Sequence, residues 1–284
     1  MTEEPIGAFV KTSLVDFPSH VASVVFLHGC NLRCPYCYNK ELVTGTKKDY
    51  EAVSFSDIKA HLEKRKNLLK GLVLSGGEAL LSPALENLIL LAKDLGLKVK
   101  LDTNGTLPDK LKQLLTDEKL KPDFIALDVK TSPNRYIELT KEGWINPQAL
   151  ASNSQDAPQD SMGVAHGMQD AMHNTQDALG SQNATLNPEA TALTRSILES
   201  IALVYALPAE CREFRTVLVP HLVTKADILR IAELLPEDAS WQFAPFRNEN
   251  CINDEYNKLS PYLDSQIKEL VSLAQTKIPG ARLR

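Results

Sequence analysis

The chain has 284 residues, of which 43% are hydrophobic and 24% charged, and these values exclude a small disulfide-stapled scaffold. Its net charge of -5 argues against nucleic acid or an anionic membrane as a partner. The N-terminus lacks a basic leader, and no apolar run approaches the roughly 18 residues that a membrane span needs. We therefore expect a cytoplasmic protein.

Short apolar runs alternate with longer amphipathic stretches, which is typical of repeated βα units around a parallel sheet. A short strand or hairpin is expected at residues 6–18, before the first unit. The strands of six units are predicted at residues 21–28, 71–75, 98–102, 123–128, 213–219 and 240–244. Helices are predicted at residues 56–69, 83–95, 108–120, 193–206, 225–235 and 261–276.

One segment interrupts this alternation. Residues 143–194 contain no Lys or Arg, and the tripeptide Gln-Asp-Ala recurs at Gln155, Gln169 and Gln176. The segment is poor in the β-branched and aromatic residues that a packed core needs. We expect residues 147–192 to be a low-complexity, disordered insertion within a single domain that spans residues 1–284; the alternative is a lid or a partner-docking segment.

Three of the five cysteines, Cys30, Cys34 and Cys37, follow the first predicted parallel strand. This crowding suits a metal better than disulfides. A Cys-x3-Cys-x2-Cys loop can wrap an iron-sulfur cubane, because each sulfur reaches a different iron and the fourth iron stays open for a reactant. The alternative is a zinc site completed by His28, Cys211 or Cys251.

Polar groups also follow the next three predicted strands. These strands end in Gly76-Gly77-Glu78, in Asp102-Thr103-Asn104-Gly105 and in Asp128-Val129-Lys130. The carboxyl ends of parallel strands meet at one edge, so we predict that these groups face one cavity. Carboxylates there would bind hydroxyl or amino groups, and the lysine would bind a carboxylate. Tight turns and helix caps are the structural alternatives.

The cysteine spacing, with aromatic Tyr36 before Cys37, resembles that of the radical S-adenosylmethionine (SAM) superfamily. The resemblance implies an α/β fold, an open partial (β/α)6 TIM-like barrel, whose cysteines hold a [4Fe-4S] cluster and whose open iron chelates SAM. It also implies that reductive cleavage of SAM yields a 5′-deoxyadenosyl radical. The cofactor-binding residues implied are Tyr36, Tyr38, Asn39, Gly76, Gly77, Glu78, Asp102, Asn104, Asp128 and Lys130.

Two motifs indicate which branch of the superfamily the chain resembles. Asp-Thr-Asn-Gly at 102–105 and Asp-x-Lys at 128–130 resemble motifs of the activating enzymes for glycyl radical proteins. Segments 11–18 and 213–220 resemble the anaerobic ribonucleoside-triphosphate reductase activating proteins, some of which are labelled pyruvate formate-lyase activating enzymes. The reaction implied is abstraction of hydrogen from a glycine of a partner enzyme. Tyr38 departs from the His that many activating enzymes carry there.

Outside the motif, the sequence has only Cys211 and Cys251, which are too few for a second cysteine-rich cluster. We expect both to be ordinary thiols, with Cys251 near the barrel mouth, and we expect a flavodoxin or a ferredoxin to supply electrons. Three alternatives stay open: activation of a pyruvate formate-lyase-like enzyme, radical chemistry on a small molecule, and a non-catalytic zinc- or cluster-binding interaction protein.

Overall fold

The computed structural model describes residues 5–45, 50–140 and 188–284. Within these residues, one sheet has the strand order β3-β1-β2-β4-β5-β6-β7-β8-β9. The strands are β1 (Gly7–Ser13), β2 (Ala22–Leu27), β3 (Ala52–Val53), β4 (Gly71–Gly76), β5 (Lys98–Thr103), β6 (Phe124–Asp128), β7 (Arg212–Leu218), β8 (Trp241–Pro245) and β9 (Arg282–Leu283). β1 is antiparallel to β2 and β3, and the strands from β2 through β4 to β9 run parallel.

The helices are α1 (Lys40–Val43), α2 (Phe55–Arg65), α3 (Leu85–Asp94), α4 (Pro108–Thr116), α5 (Pro188–Tyr205), α6 (Lys225–Ala232), α7 (Asp254–Asn257) and α8 (Asp264–Gln275). Each parallel strand pairs with the next parallel strand along the chain. Because such crossovers are right-handed, the helices collect on one face and the sheet curls around the other. The outer strands β3 and β9 do not pair, which confirms the predicted open barrel.

All of the predicted parallel strands and helices are present, with shifted ends; for example, α5 begins at Pro188 rather than at 193. The short elements α1, β3, α7 and β9 were not expected, because two to four residues are too few to display a period. The predicted insertion at 147–192 lies outside the described residues, except for 188–192. A search of the described helices finds none long and apolar enough to cross a membrane.

Phe17, in the loop between β1 and β2, closes the barrel at the amino ends of the parallel strands. Phe17 is 3% exposed and belongs to an apolar cluster with Ala22, Val24 and Val73. Its ring lies 5.9 Å from that of Phe124. Since these partners come early in their strands, this cluster fills the amino ends of the strands and leaves the carboxyl ends open.

Two helices begin with the same capping box in different surroundings. Asp57, which is exposed, caps α2 together with Ser54, and Asp227 caps α6 together with Thr224. Asp227 is 2% exposed, and its carboxylate also accepts a hydrogen bond of 2.6 Å from Ser132 and pairs with Arg135 at 2.8 Å. The Asp227 carboxylate thus connects α6 to the segment that follows β6.

Asp227→Ala should lower the free energy of unfolding by about 3 kcal/mol, because it removes a cap and leaves Arg135 and Ser132 without their buried acceptor. Urea unfolding monitored by circular dichroism would measure the change. Asp57→Ala is the matched control, since it removes the same local motif in solvent. Equal losses for the two variants would contradict the role assigned to the buried contacts.

Candidate active site

A cavity of about 420 Å³ opens at the carboxyl ends of the parallel strands. All of the predicted site residues except Glu78 line it, namely Cys30, Cys34, Tyr36, Cys37, Tyr38, Asn39, Gly76, Gly77, Asp102, Asn104, Asp128 and Lys130. The convergence follows from the parallel topology, which places the loop after each strand at the same end of the barrel.

The three thiols are carried by the loop that follows β2. Cys34 is 7% exposed, whereas Cys30 and Cys37 are partly buried. Burial raises the pKa of each thiol, and it raises that of Cys34 to about 12. The positive charge of Lys130 lowers these pKa values but does not cancel the effect of burial. Free thiols in this loop therefore hold their protons, and a metal that binds them as thiolates must displace those protons.

The donor set fits an iron-sulfur cluster better than a single ion. Among the described residues, no group of three or more His, Cys, Asp or Glu side chains is arranged to hold one metal ion. A zinc site needs such convergence, whereas a cubane takes one thiolate on each of three irons. The cysteines and their neighbouring polar groups share one cavity, as a cluster with a second ligand requires.

Gly76 and Gly77 allow the end of β4 to pack closely against the end of β2 and the start of the cysteine loop. A Cβ on Gly77 would lie 1.9 Å from the carbonyl oxygen of Gly29, and one on Gly76 would lie 2.3 Å from the backbone of Leu27. Gly76 also has a φ of 123°, which favours glycine. The backbone after β4 consequently lies directly against the base of the cysteine loop.

Glu78 lies behind the cavity wall and is 1% exposed. Its carboxylate accepts hydrogen bonds from the backbone N–H of Asn104 at 2.7 Å, from the hydroxyl of Thr103 at 2.9 Å and from the N–H of Leu80 at 3.1 Å. Burial raises the pKa of Glu78 to about 7 despite these donors. Glu78 therefore fixes the loop after β5, which leaves Gly76 and Gly77 as the candidates for contact with a ligand.

Asn104 and the two tyrosines surround the cysteines. The Asn104 amide donates to Asn31 Oδ1 at 3.1 Å and lies 3.7 Å from Cys30 Sγ. Tyr36 is 5% exposed, and its buried hydroxyl has no hydrogen-bond partner among the described residues. Tyr38 is 52% exposed at the rim. A bound molecule that reaches Tyr36 would therefore meet an unsatisfied hydroxyl.

The cavity floor is built from paired charges. Arg215 on β7 binds both predicted aspartates: its Nη1 is 3.0 Å from Asp102 Oδ2 and its Nε is 2.7 Å from Asp128 Oδ1. Lys100 Nζ lies 2.7 Å from Asp102 Oδ1, and Lys130 Nζ lies 3.3 Å from Asp128 Oδ2. Burial opposes ionisation of Asp102, but Arg215 and Lys100 lower its pKa to about 2. Both aspartates are accordingly anionic at neutral pH.

Arg215 and Lys100 were not among the predicted site residues. The available signal is the period of two within strands: Lys100 shares a face with Asp102, and Arg215 shares a face with Glu213. Several wall residues on β7 and β8 and at the chain ends were also missed, namely Asp16, Thr216, Val217, Gln242, Phe243, Ala244 and Arg284.

Arg215→Leu should destabilise the protein by about 3 kcal/mol at pH 7, because two buried carboxylates lose their shared partner. In the wild type, the lowered pKa of Asp102 contributes stability above pH 4, the ordinary range of an Asp carboxyl, and this contribution fades as pH falls. Without Arg215, burial favours the protonated acids, so the deficit should shrink between pH 7 and pH 4. Urea unfolding at both pH values tests this, with exposed Arg230→Leu as the control. A deficit independent of pH would contradict the assignment.

Comparison with known proteins agrees with this geometry. The family model described as the radical SAM superfamily matches residues 24–153. A putative glycyl-radical enzyme activating enzyme of Methanocaldococcus jannaschii is 24% identical over 283 residues, which cover 98% of this chain and 95% of that protein. A pyruvate formate-lyase-activating enzyme of Clostridium pasteurianum is 31% identical over 130 residues, covering 44% of this chain and 52% of that protein.

A solved structure supports the fold alone. SuiB of Streptococcus suis, in a crystal structure with S-adenosylmethionine bound, has a TM-score of 0.51 and 16% sequence identity, covering 92% of this chain and 48% of that one. The cysteine loop, the open parallel barrel and the family match agree with one another. Residues 24–153 therefore match the radical SAM superfamily, whose enzymes use a [4Fe-4S] cluster and SAM, and the cysteine loop and the cavity fit these two cofactors.

Proposed function

We propose that this protein is a glycyl radical enzyme activating enzyme, which acts in the cytoplasm and removes a hydrogen atom from the α-carbon of one glycine in a partner enzyme. The observation that carries this step is the similarity to a putative glycyl-radical enzyme activating enzyme along 98% of this chain and 95% of that protein. The motifs at 102–105 and 128–130 add support, because both contribute to the cavity that contains the cysteines.

When bound, the cluster and SAM supply one-electron reductive cleavage and hydrogen abstraction. In this proposal Cys30, Cys34 and Cys37 hold the cluster. Burial disfavours the charged form of Lys130, but Asp128 overcomes this and raises the pKa of the lysine well above its ordinary value. Lys130 is thus a fixed cation for the carboxylate of the methionine group. The buried ring of Tyr36 would exclude water beside the cluster.

Asp102 and Asp128 would accept hydrogen bonds from hydroxyl or amino groups of SAM. Their side chains are held by Arg215, so they are positioned before a ligand arrives. The backbone of Gly76 and Gly77 offers polar groups on the other side of the same cavity. Together these groups bind and orient SAM over the cysteine loop.

A macromolecular substrate is supported by exposed apolar side chains beside the cavity. Leu14 and Val15 are 74% and 71% exposed, although most large apolar residues of the described chain are buried. Asp16, the next residue, lines the cavity. A polypeptide that enters the cavity from this side would cover Leu14 and Val15 and so remove their apolar surface from water.

The partner that we favour is anaerobic ribonucleoside-triphosphate reductase, because segments 11–18 and 213–220 resemble those of its activating proteins. A pyruvate formate-lyase-like partner is the second candidate, favoured by the similarity to the Clostridium pasteurianum enzyme. The electron donor in this proposal is a flavodoxin or a ferredoxin, since the sequence has only Cys211 and Cys251 outside the cluster motif.

The anaerobically reconstituted, dithionite-reduced protein should release 5′-deoxyadenosine from SAM. Cys34→Ala should abolish release, because it removes a cluster ligand. Cys211→Ala should retain it, because Cys211 lies just before β7, at the end of the strand opposite the cavity. Chromatographic quantification of 5′-deoxyadenosine, together with the iron content, measures both effects. Loss of the cluster in Cys211→Ala would refute the ligand assignment.

Mixing the reduced protein with anaerobic ribonucleoside-triphosphate reductase should produce the electron paramagnetic resonance signal of a glycyl radical. Pyruvate formate-lyase in the same assay should remain silent. The opposite pattern would transfer the proposal to the second partner. SAM cleavage without a radical on either protein would favour radical chemistry on a small molecule.

A Leu14→Ser, Val15→Ser double variant should reduce the glycyl radical yield at limiting partner concentration by about tenfold, which corresponds to about 1.4 kcal/mol of lost apolar contact. SAM cleavage in the absence of partner should be unchanged, because neither residue holds the cofactors. Leu263→Ser is the control, since Leu263 is 68% exposed and lies outside the cavity lining. An undiminished yield would remove this surface from the interface.

A further inference from the structure

A segment near the C-terminus crosses the cysteine loop. Residues 251–257, which we call the strap, follow β8 and include α7. The backbone N–H of Ile252 donates to the carbonyl of Cys37 at 3.0 Å, and the N–H of Asn253 donates to the carbonyl of Pro35 at 3.0 Å. The strap thus binds the carbonyl of the third cysteine and the carbonyl of the residue two positions before it.

The side-chain hydrogen bonds within the cysteine loop lie near Cys30, where Arg33 donates to the carbonyls of Cys30 at 2.6 Å and Leu32 at 2.9 Å. Between Cys30 and Cys37, the internal backbone bond that the structure describes joins the N–H of Cys37 to the carbonyl of Cys34 at 3.0 Å. A second external contact joins the N–H of Arg33 to the carbonyl of Leu139 at 2.8 Å. The backbone of Cys37 is therefore held by one bond within the loop and by one from the strap, which lies more than two hundred residues away in the sequence.

The strap is fixed by its own side chains. Asn257 Oδ1 accepts a hydrogen bond of 2.8 Å from the N–H of Cys251, and Asn253 Oδ1 accepts one of 3.0 Å from the N–H of Glu255. Cys251 is fully buried, with its sulfur 3.7 Å from the carbonyl of Arg247, and Tyr256 packs edge-on against Phe246. Cys251 is therefore a packing thiol of the strap, and its burial removes it from the surface that a partner would touch.

We propose that the strap sets the position of Cys37 for the iron-sulfur cluster and that Asn257 is the positioning residue through which it does so. Asn257 makes no described hydrogen bond to Cys30, Cys34 or Cys37. It acts on Cys37 through Cys251 and Ile252. The inference rests on the cluster and does not depend on the proposed glycyl radical partner.

The physical basis is the dependence of a metal site on the groups that orient its ligands. If the strap is released, the Cys37 peptide gains rotational freedom, and the ordering cost of binding the cluster rises. Linkage makes the effect reciprocal, so a bound cluster must also stabilise the strap. Two independent measurements test this coupling between the strap and the cluster.

The first measurement compares iron release to a ferrous chelator, and the reduction potential of the cluster, in reconstituted full-length variants. Asn257→Ala should release iron about tenfold faster than the wild type and should shift the potential. An Asp254→Asn, Asn257→Asp double variant should stay within about twofold of the wild type, because the carboxylate at 257 still accepts the N–H of Cys251 and faces an amide rather than a second carboxylate. Asp254→Ala is the matched control, since Asp254 accepts the other hydrogen bond of Asn257, at 3.3 Å; it should behave as the wild type.

Wild-type release and potential in Asn257→Ala would overturn the proposal, as would the double variant behaving like Asn257→Ala. If Asn257→Ala does not fold, a second measurement on the wild-type protein tests the proposal. Hydrogen exchange of the peptide 247–257, followed by mass spectrometry, should slow at least tenfold when the cluster is loaded. Equal exchange with and without the cluster would refute the coupling, whatever the activity towards a partner.

Discussion

Arg215 holds together the charged interior on which the cavity depends. Strands β5, β6 and β7 each direct acidic side chains into the barrel, and these carboxylates would repel one another in a space that excludes water. The guanidinium reaches Asp102 and Asp128 at once, in the planar geometry that a lysine does not offer. Lys100 and Lys130 complete the charge balance on either side. A polar cavity floor is stable here because each buried charge has a partner of opposite sign.

Above this floor, the cysteine loop is shaped by contacts from outside itself. Gly77 allows the turn after β4 to lie against Gly29, and the strap holds the carbonyls of Pro35 and Cys37. Burial raises the pKa values of the three thiols, so in the protonated state they do not repel one another. The cysteine loop is in this way supported by parts of the chain that lie outside it.

The sequence predicted the order and type of the elements well, because six apolar strands alternate with six amphipathic helices long enough to display a period. It also identified the cysteine loop and the residues at the ends of β4, β5 and β6. It did not identify Arg215: the period of two places this residue on the same strand face as Glu213, but it does not reveal the two partners of Arg215 on other strands. Glu78 was predicted beside the ligand, whereas its carboxylate points at the loop after β5.

By itself, the sequence determined the spacing of the three thiols, the parallel βα pattern and the carboxylate and lysine motifs, because these depend on residues close together along the chain. Only the tertiary structure decided which groups pair across the barrel and which backbone supports Cys37. Contacts such as that between Asn253 and Pro35 join residues far apart in sequence, and their partners are chosen by strand register and packing. Such choices leave no period or motif in the local sequence, so they emerge only when the sheet has closed around its interior.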